Sequence, residues 1–170
     1  MSEVCIAQIC VAYRLYSDRA DPVLSNTQFI IVLNNKCNDT FPKDPKSVRI
    51  LIVEDEKLIG WSVGRLLQKA GFDVSIVETG EQAIEKLHSQ KFCLVLTDLH
   101  VPLCGGLRVA EKVKRNDDST PVVMMSSSLL SSDEKGSYKN VVDVFIEKPV
   151  DFEDFLALVK NLIKRFGCGK

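Results

Sequence analysis

An aspartate that ends an apolar run is the first residue in this chain whose type and setting suggest chemistry. Phe92 to Leu96 are apolar, Asp98 follows Thr97, and Pro102, Gly105 and Gly106 close the stretch. Such a run reads as a strand buried on both faces, as in a parallel sheet, and Pro and Gly then end it. In open α/β sheets, ligands bind at the C-terminal ends of the strands, which is where Asp98 is placed. Three other apolar runs end in reactive side chains. VRILIV (48 to 53) runs into Glu54, Asp55 and Glu56, PVVMM (121 to 125) into Ser126, Ser127 and Ser128, and Val142 to Ile146 leads to Lys148 and Pro149.

Gathered on one rim, Glu54, Asp55 and Asp98 repel one another unless a cation neutralises them. Mg²⁺ fits, because it takes hard oxygen ligands and is held by one or two carboxylates together with waters and phosphate oxygens. An aspartate carboxylate can attack phosphorus to give an acyl phosphate. The new charge then needs donors, and Mg²⁺, the Lys148 ammonium and the Ser126 hydroxyl are of the right kinds. Each residue alone has a plainer reading. Asp98 could form a turn, Ser126 could cap a helix, and Lys148 could be a solvated surface lysine. Four such coincidences at four strand ends are harder to dismiss.

The elements between these ends set the fold class. Ile59, Val63, Leu66, Leu67 and Ala70 mark one face of a helix over 57 to 70, with Gly71 suited to its C-terminal cap. Residues 72 to 77 alternate as a half-covered edge strand, and Thr79 with Gln82 has capping-box spacing for the next helix. A third helix spans about 107 to 115. The segment 129 to 139 is a weak helix, rich in Ser and carrying Gly136, and is expected to be short and mobile. Asp151 reads as the N-cap of a last helix striped by Phe152, Phe155, Val159, Leu162, Ile163 and Phe166. Five strands alternating with five helices, joined by right-handed crossovers, predict a doubly wound five-stranded parallel sheet with helices on both faces.

Residues 1 to 47 differ from the rest of the chain. They hold a loose helical pattern, the apolar run Phe29 to Leu33, and a turn-rich tract containing Pro42 and Pro45. The expectation is a poorly ordered extension, followed by one domain over 48 to 170; a partner-binding or capping element is the alternative. A length of 170 residues suits one core. The net charge of −1 is spread over interspersed signs, so no basic face points to nucleic acid or membrane. The six cysteines lack C-x-x-C spacing and are expected to be free thiols in a reducing cytoplasm. No apolar stretch approaches the roughly 18 residues of a membrane span.

Four motifs together resemble the receiver domains of response regulators, over residues 48 to about 166: VEDE (53 to 56), TDLHVP (97 to 102), PVVMMS (121 to 126) and FIEKPV (145 to 150). The resemblance implies a flavodoxin-like receiver fold in which Asp98 is the phosphoacceptor. It implies that Asp55 binds Mg²⁺ directly, with Glu54 assisting and the His100 backbone carbonyl completing the metal site. Ser126 and Phe145 become the coupled switch pair, Lys148 contacts the phosphoryl group, and the Lys148–Pro149 bond is cis. EDEKLIGWS looks most like receivers of the nitrogen-regulation type. Val101 stands where the family often has Met, and Val141 and Val142 where it usually has Gly-Ala. His100 and Ser128 fall where the family tunes phosphoryl lifetime.

The resemblance implies a cytoplasmic receiver that is not a turnover enzyme but a phosphoacceptor assisting its own phosphotransfer and dephosphorylation. The donor would be a histidine kinase or phosphotransfer protein. The readout would be a downstream protein or a homodimer, through the face made by the fourth helix, fifth strand and fifth helix, with no direct contact to nucleic acid or membrane. A haloacid-dehalogenase-type phosphatase would want a second acid two residues after Asp98, where His100 stands. A flavin binder would want a phosphate-cradling loop after the first strand, where the acids Glu54 to Glu56 would repel phosphate. The serious alternative is a pseudo-receiver adaptor that is never phosphorylated.

Overall fold

The computed structural model describes residues 30–31, 48–127 and 130–167. The elements are β1 (Ile30–Ile31), β2 (Arg49–Val53), α1 (Lys57–Lys69), β3 (Asp73–Val77), α2 (Gly80–Ser89), β4 (Leu94–Asp98), α3 (Gly105–Asn116), β5 (Val122–Ser126), α4 (Ser132–Tyr138), β6 (Val144–Glu147) and α5 (Phe152–Phe166). The strands form one sheet in the order β1-β6-β5-β4-β2-β3. β2 to β6 are parallel, as the alternating pattern predicts, and β1 adds a sixth strand antiparallel to β6. The sheet is therefore one strand wider than the sequence suggested. Only part of the apolar run 29 to 33 is described, and the rest of the extension lies outside the described residues.

Side chains alternate across the sheet and divide the core in two. Ile50, Ile52, Leu94, Leu96, Val123, Met125, Val144 and Ile146 pack with Val63 and Leu67 of α1 and with Phe155, Val159 and Ile163 of α5. Leu51, Val53, Val95, Val122, Met124 and Phe145 meet Ala83 of α2, Val109, Ala110 and Val113 of α3, and Tyr138 of α4. β4 and β5 are buried at every position, which explains their unbroken apolar runs, whereas β3 lies at the sheet edge, where Val77 is buried and Ile76 is exposed rather than following the expected alternation.

The predicted boundaries hold with small shifts. Gly71 has φ 96° and donates its N–H to the Gln68 carbonyl, ending α1 as a glycine past the C-cap does. The Thr79 hydroxyl accepts from the Gln82 N–H, but the Gln82 side chain reaches back to the Glu78 N–H, one residue before the N-cap. Asp151 accepts from the N–H groups of Glu153 and Asp154, capping α5. α4 is short, seven residues held at its start by a reciprocal Ser131–Glu134 capping box. The Lys148–Pro149 bond is cis.

The cysteine expectation needs correcting. Cys104 is a free thiol, but Cys93, at 5% exposure in the core, is disulfide-bonded, to a partner outside the described residues. Sequence spacing reports cysteines close in the chain, and this pairing is one that folding makes.

Gly106 shows how tightly the fold holds Asp98. A Cβ at Gly106 would collide with the Asp98 carbonyl oxygen, because the first turn of α3 lies directly against the end of β4. At Gly136, within α4, a Cβ would meet nothing. Gly106→Ala should therefore lose about 1–3 kcal/mol to overpacking, while Gly136→Ala should gain about 0.5–1 kcal/mol from helix propensity. Urea unfolding of the two variants checks the opposite signs.

Candidate functional site

The strand ends gather the predicted residues by their register. β2 lies beside β4, so Glu54 and Asp55 come next to Asp98, and β5 separates β4 from β6. Backbone bonds tie these ends together: Glu54 N–H to Val77 O, Leu99 N–H to Met125 O, and Lys148 N–H to Ser126 O. Lys148 reaches across the end of β5, and its Nζ bridges Glu54 Oε2 at 2.7 Å and Asp98 Oδ2. The other Asp98 oxygen, Oδ1, accepts the His100 N–H at 2.8 Å. A cleft of about 620 Å³ opens over these groups, lined by Glu54, Asp55, Glu56, Ile59, Asp98, His100, Ser127, Lys148 and Pro149.

Glu54 is 1% exposed, whereas Asp55 is open to solvent. Burial pushes the Glu54 carboxyl above its ordinary range; the Lys148 ammonium works against this, and the Asp98 charge adds to it. Burial by itself would depress Lys148, but its hydrogen bonds to Asp98 and Glu54 win and hold the ammonium above its usual value. The lysine is thus the resident positive charge of the site.

It does not balance the site alone. Three carboxylates and one ammonium leave a formal charge of −3 + 1 = −2, the complement of one divalent cation. Carboxylate oxygens of Glu54, Asp55 and Asp98 lie within 4.8 Å of one another. Glu54 Oε1 is buried with no hydrogen-bond partner, an acceptor that a cation would satisfy. The donor set is all hard oxygen, which suits Mg²⁺.

Not every predicted residue reaches the cleft. Ser126 is buried at 3% exposure at the end of β5 and does not line it, while its neighbour Ser127 does. Phe145 is buried in β6, facing α4, with its ring tilted against Tyr138 at 6.2 Å between centroids. Ser128 lies outside the described residues. Sequence reasoning passed over Leu58 and Trp61, which are 76% and 63% exposed in the first turns of α1, the helix whose Ile59 lines the cleft. The signal was available: both fall off the buried stripe of Val63 and Leu67.

With this arrangement in place, the chain's kinship is clear. It belongs to the response regulator receiver domain family, whose pattern matches residues 50–160. It is 30% identical over 117 residues to the response regulator ArlR of Staphylococcus saprophyticus, covering 69% of this chain and 53% of that one. The chain spans about half the length of the curated relatives it matches. Among solved structures it is similar to a CheY-like receiver domain protein of Methanospirillum hungatei (28% identity, TM-score 0.63, covering 67% of this chain and 91% of that one). It is also similar to TrrA of Thermotoga maritima in complex with Mg²⁺-BeF (27% identity, TM-score 0.61, covering 68% and 98%). These relatives carry the five-stranded parallel receiver fold, and the chain shares it. Among the described residues no helix is long and apolar enough to cross a membrane.

Removing the resident cation tests the electrostatics directly. Lys148→Met leaves Glu54 and Asp98 facing each other, and should cost on the order of 2 kcal/mol, less than a fully buried pair because the cleft admits water. Millimolar Mg²⁺ should restore more stability to this variant than it adds to the wild type, read as the shift in urea midpoint with and without chelator.

Proposed function

We propose that the chain is a phosphorelay receiver, folded over residues 48–170 behind an extension of residues 1–47. It takes a phosphoryl group from a histidine kinase or phosphotransfer protein onto Asp98. The observation that carries this reading is the single cleft joining three carboxylates, one of them with an unpartnered buried oxygen, to the Lys148 ammonium. Glu54, Asp55 and Asp98 would hold Mg²⁺, with the His100 backbone carbonyl as a further ligand. Bound there, the ion would neutralise charge on the transferring phosphoryl oxygens.

This chain's own residues do the rest. An Asp98 carboxylate oxygen attacks phosphorus; the P–N bond to the donor histidine breaks, its electron pair stays on the imidazole, and an acyl phosphate forms. The His100 N–H orients the carboxylate through Oδ1. Lys148 exchanges Asp98 Oδ2 for a phosphoryl oxygen, which moves a charge on the loop directly after β6. Ser126 and Phe145, on β5 and β6, then adjust together and change the α4–β6–α5 face for a downstream partner or a second copy. The TrrA complex with Mg²⁺-BeF supports this use of the cleft by analogy. The exposed pair Leu58 and Trp61, on the helix whose Ile59 lines the cleft, would give an apolar landing for a protein donor.

The central test uses acetyl phosphate as a small donor. Wild type should gain one base-labile phosphoryl group, Asp98→Asn and Asp55→Ala should gain none, and chelation of Mg²⁺ should reproduce Asp55→Ala. Lys148→Ala should still take some phosphoryl but fail to switch, seen as unchanged amide shifts in α4 and β6. Absence of uptake by the wild type, with or without Mg²⁺, would instead favour a pseudo-receiver adaptor.

Two narrower outcomes are expected on the same reading. The exposed His100 borders the cleft by which water reaches Asp98, so His100→Asn should change the dephosphorylation rate while leaving phosphorylation intact. Because residues 1–47 carry none of the site, a chain starting at Ser47 should unfold cooperatively and take up phosphoryl like the full chain. Broad, non-cooperative unfolding of that shorter chain would refute the domain boundary.

A further inference from the structure

The outer edge of β6 is a surface that the phosphoryl chemistry does not use. Asp143 donates its N–H to Val122 O at 2.9 Å, towards β5. Backbone groups alternate sides along a strand, so Val144, one residue on, turns its N–H and C=O to the opposite edge. A bare edge of this kind is a template for pairing with another chain. Here β1 covers it: Ile31 stands opposite Val144 and Ile30 opposite Phe145, antiparallel. Among the described residues the cover is Ile30–Ile31, from a part of the chain remote in sequence. The strand beneath it holds Phe145 against α4 and runs directly to Lys148.

We propose that the β6 edge is a strand-accepting docking surface whose occupant in the resting chain is the chain's own Ile30–Ile31 segment, and that this occupancy withholds the edge from a second copy of the chain. The antiparallel register argues for it, because it pairs Ile31 with the very residue whose main-chain groups face outward. β1 is the outermost strand and pairs with β6 alone among the described strands, so it can leave the edge without parting any other pair of strands. The inference extends the reading of α4–β6–α5 as the output face, by making part of the extension that face's intramolecular partner.

The test compares full-length wild type with Ile31→Pro and Ile30→Pro, all without phosphodonor, so that a failure of Asp98 to accept phosphoryl leaves the readouts untouched. Proline at 31 removes the N–H that faces Val144; proline at 30 changes a residue whose N–H points away from β6. Ile31→Pro should speed amide exchange at Val144 by about tenfold or more, with Leu51 in β2 unchanged and Ile30→Pro close to wild type. A peptide of residues 26–35 added to Ile31→Pro should slow Val144 again. In sedimentation velocity, Ile31→Pro should self-associate at concentrations where wild type is monomeric, and the peptide should reverse this. Equal Val144 exchange in wild type and Ile31→Pro would overturn the occupancy. Faster exchange at Leu51 as well would make β1 part of the core rather than a cover, and so would overturn the proposal. Exposure of Val144 without self-association, or a wild type that associates equally, would overturn the withholding.

Discussion

The Lys148 ammonium between Glu54 and Asp98 is the contact on which the arrangement of the site depends. It links the ends of β2 and β4 to the loop after β6, across the end of β5. A long, flexible cation can make that reach because this strand order leaves a single strand to cross. The two carboxylates would otherwise face each other in a partly buried cleft, where charge repulsion is little screened. The lysine balances one of the three carboxylate charges, and the −2 that remains matches one divalent ion.

Around that contact the fold is uneven in rigidity. β4 and β5 are buried throughout, and α3 is pressed so closely against Asp98 that only glycine fits at 106. α4 is the opposite: seven residues, an interior glycine with open space around its α-carbon, and a Ser137 hydroxyl that donates to the Asp133 carbonyl within the helix. Its start is held by a capping box and its end by the Tyr138–Phe145 contact. A short helix of poor propensity, lying between the Ser126 strand and the Lys148 strand, is the element that small changes at the site can move at least cost.

One feature joins parts of the chain that sequence keeps far apart without belonging to the chemistry. The Ile30–Ile31 strand closes the β6 edge. A parallel sheet has two edges: β3 forms one, and without β1 the other would be β6, with unpaired main-chain groups. Covering it from the extension extends the ordered unit beyond the residues that make the parallel sheet.

Much of this was legible in the residues because it is local. Apolar runs on β4 and β5 announced strands buried on both faces, Gly71 and Asp151 marked helix ends, and acids, a serine and a Lys-Pro each stood at the end of a strand. Strand alternation with helices then dictated that those ends share one rim. What the sequence could not carry was anything set by distance across the fold. That Lys148 bridges Glu54 and Asp98, that Ser127 rather than Ser126 lines the cleft, and that Glu54 keeps an unpartnered oxygen depend on side-chain reach and register. The pairing of Ile31 with Val144 depends on which remote segments meet. Periodicity reports which face of an element is buried, but only the packed tertiary structure decides what lies against it.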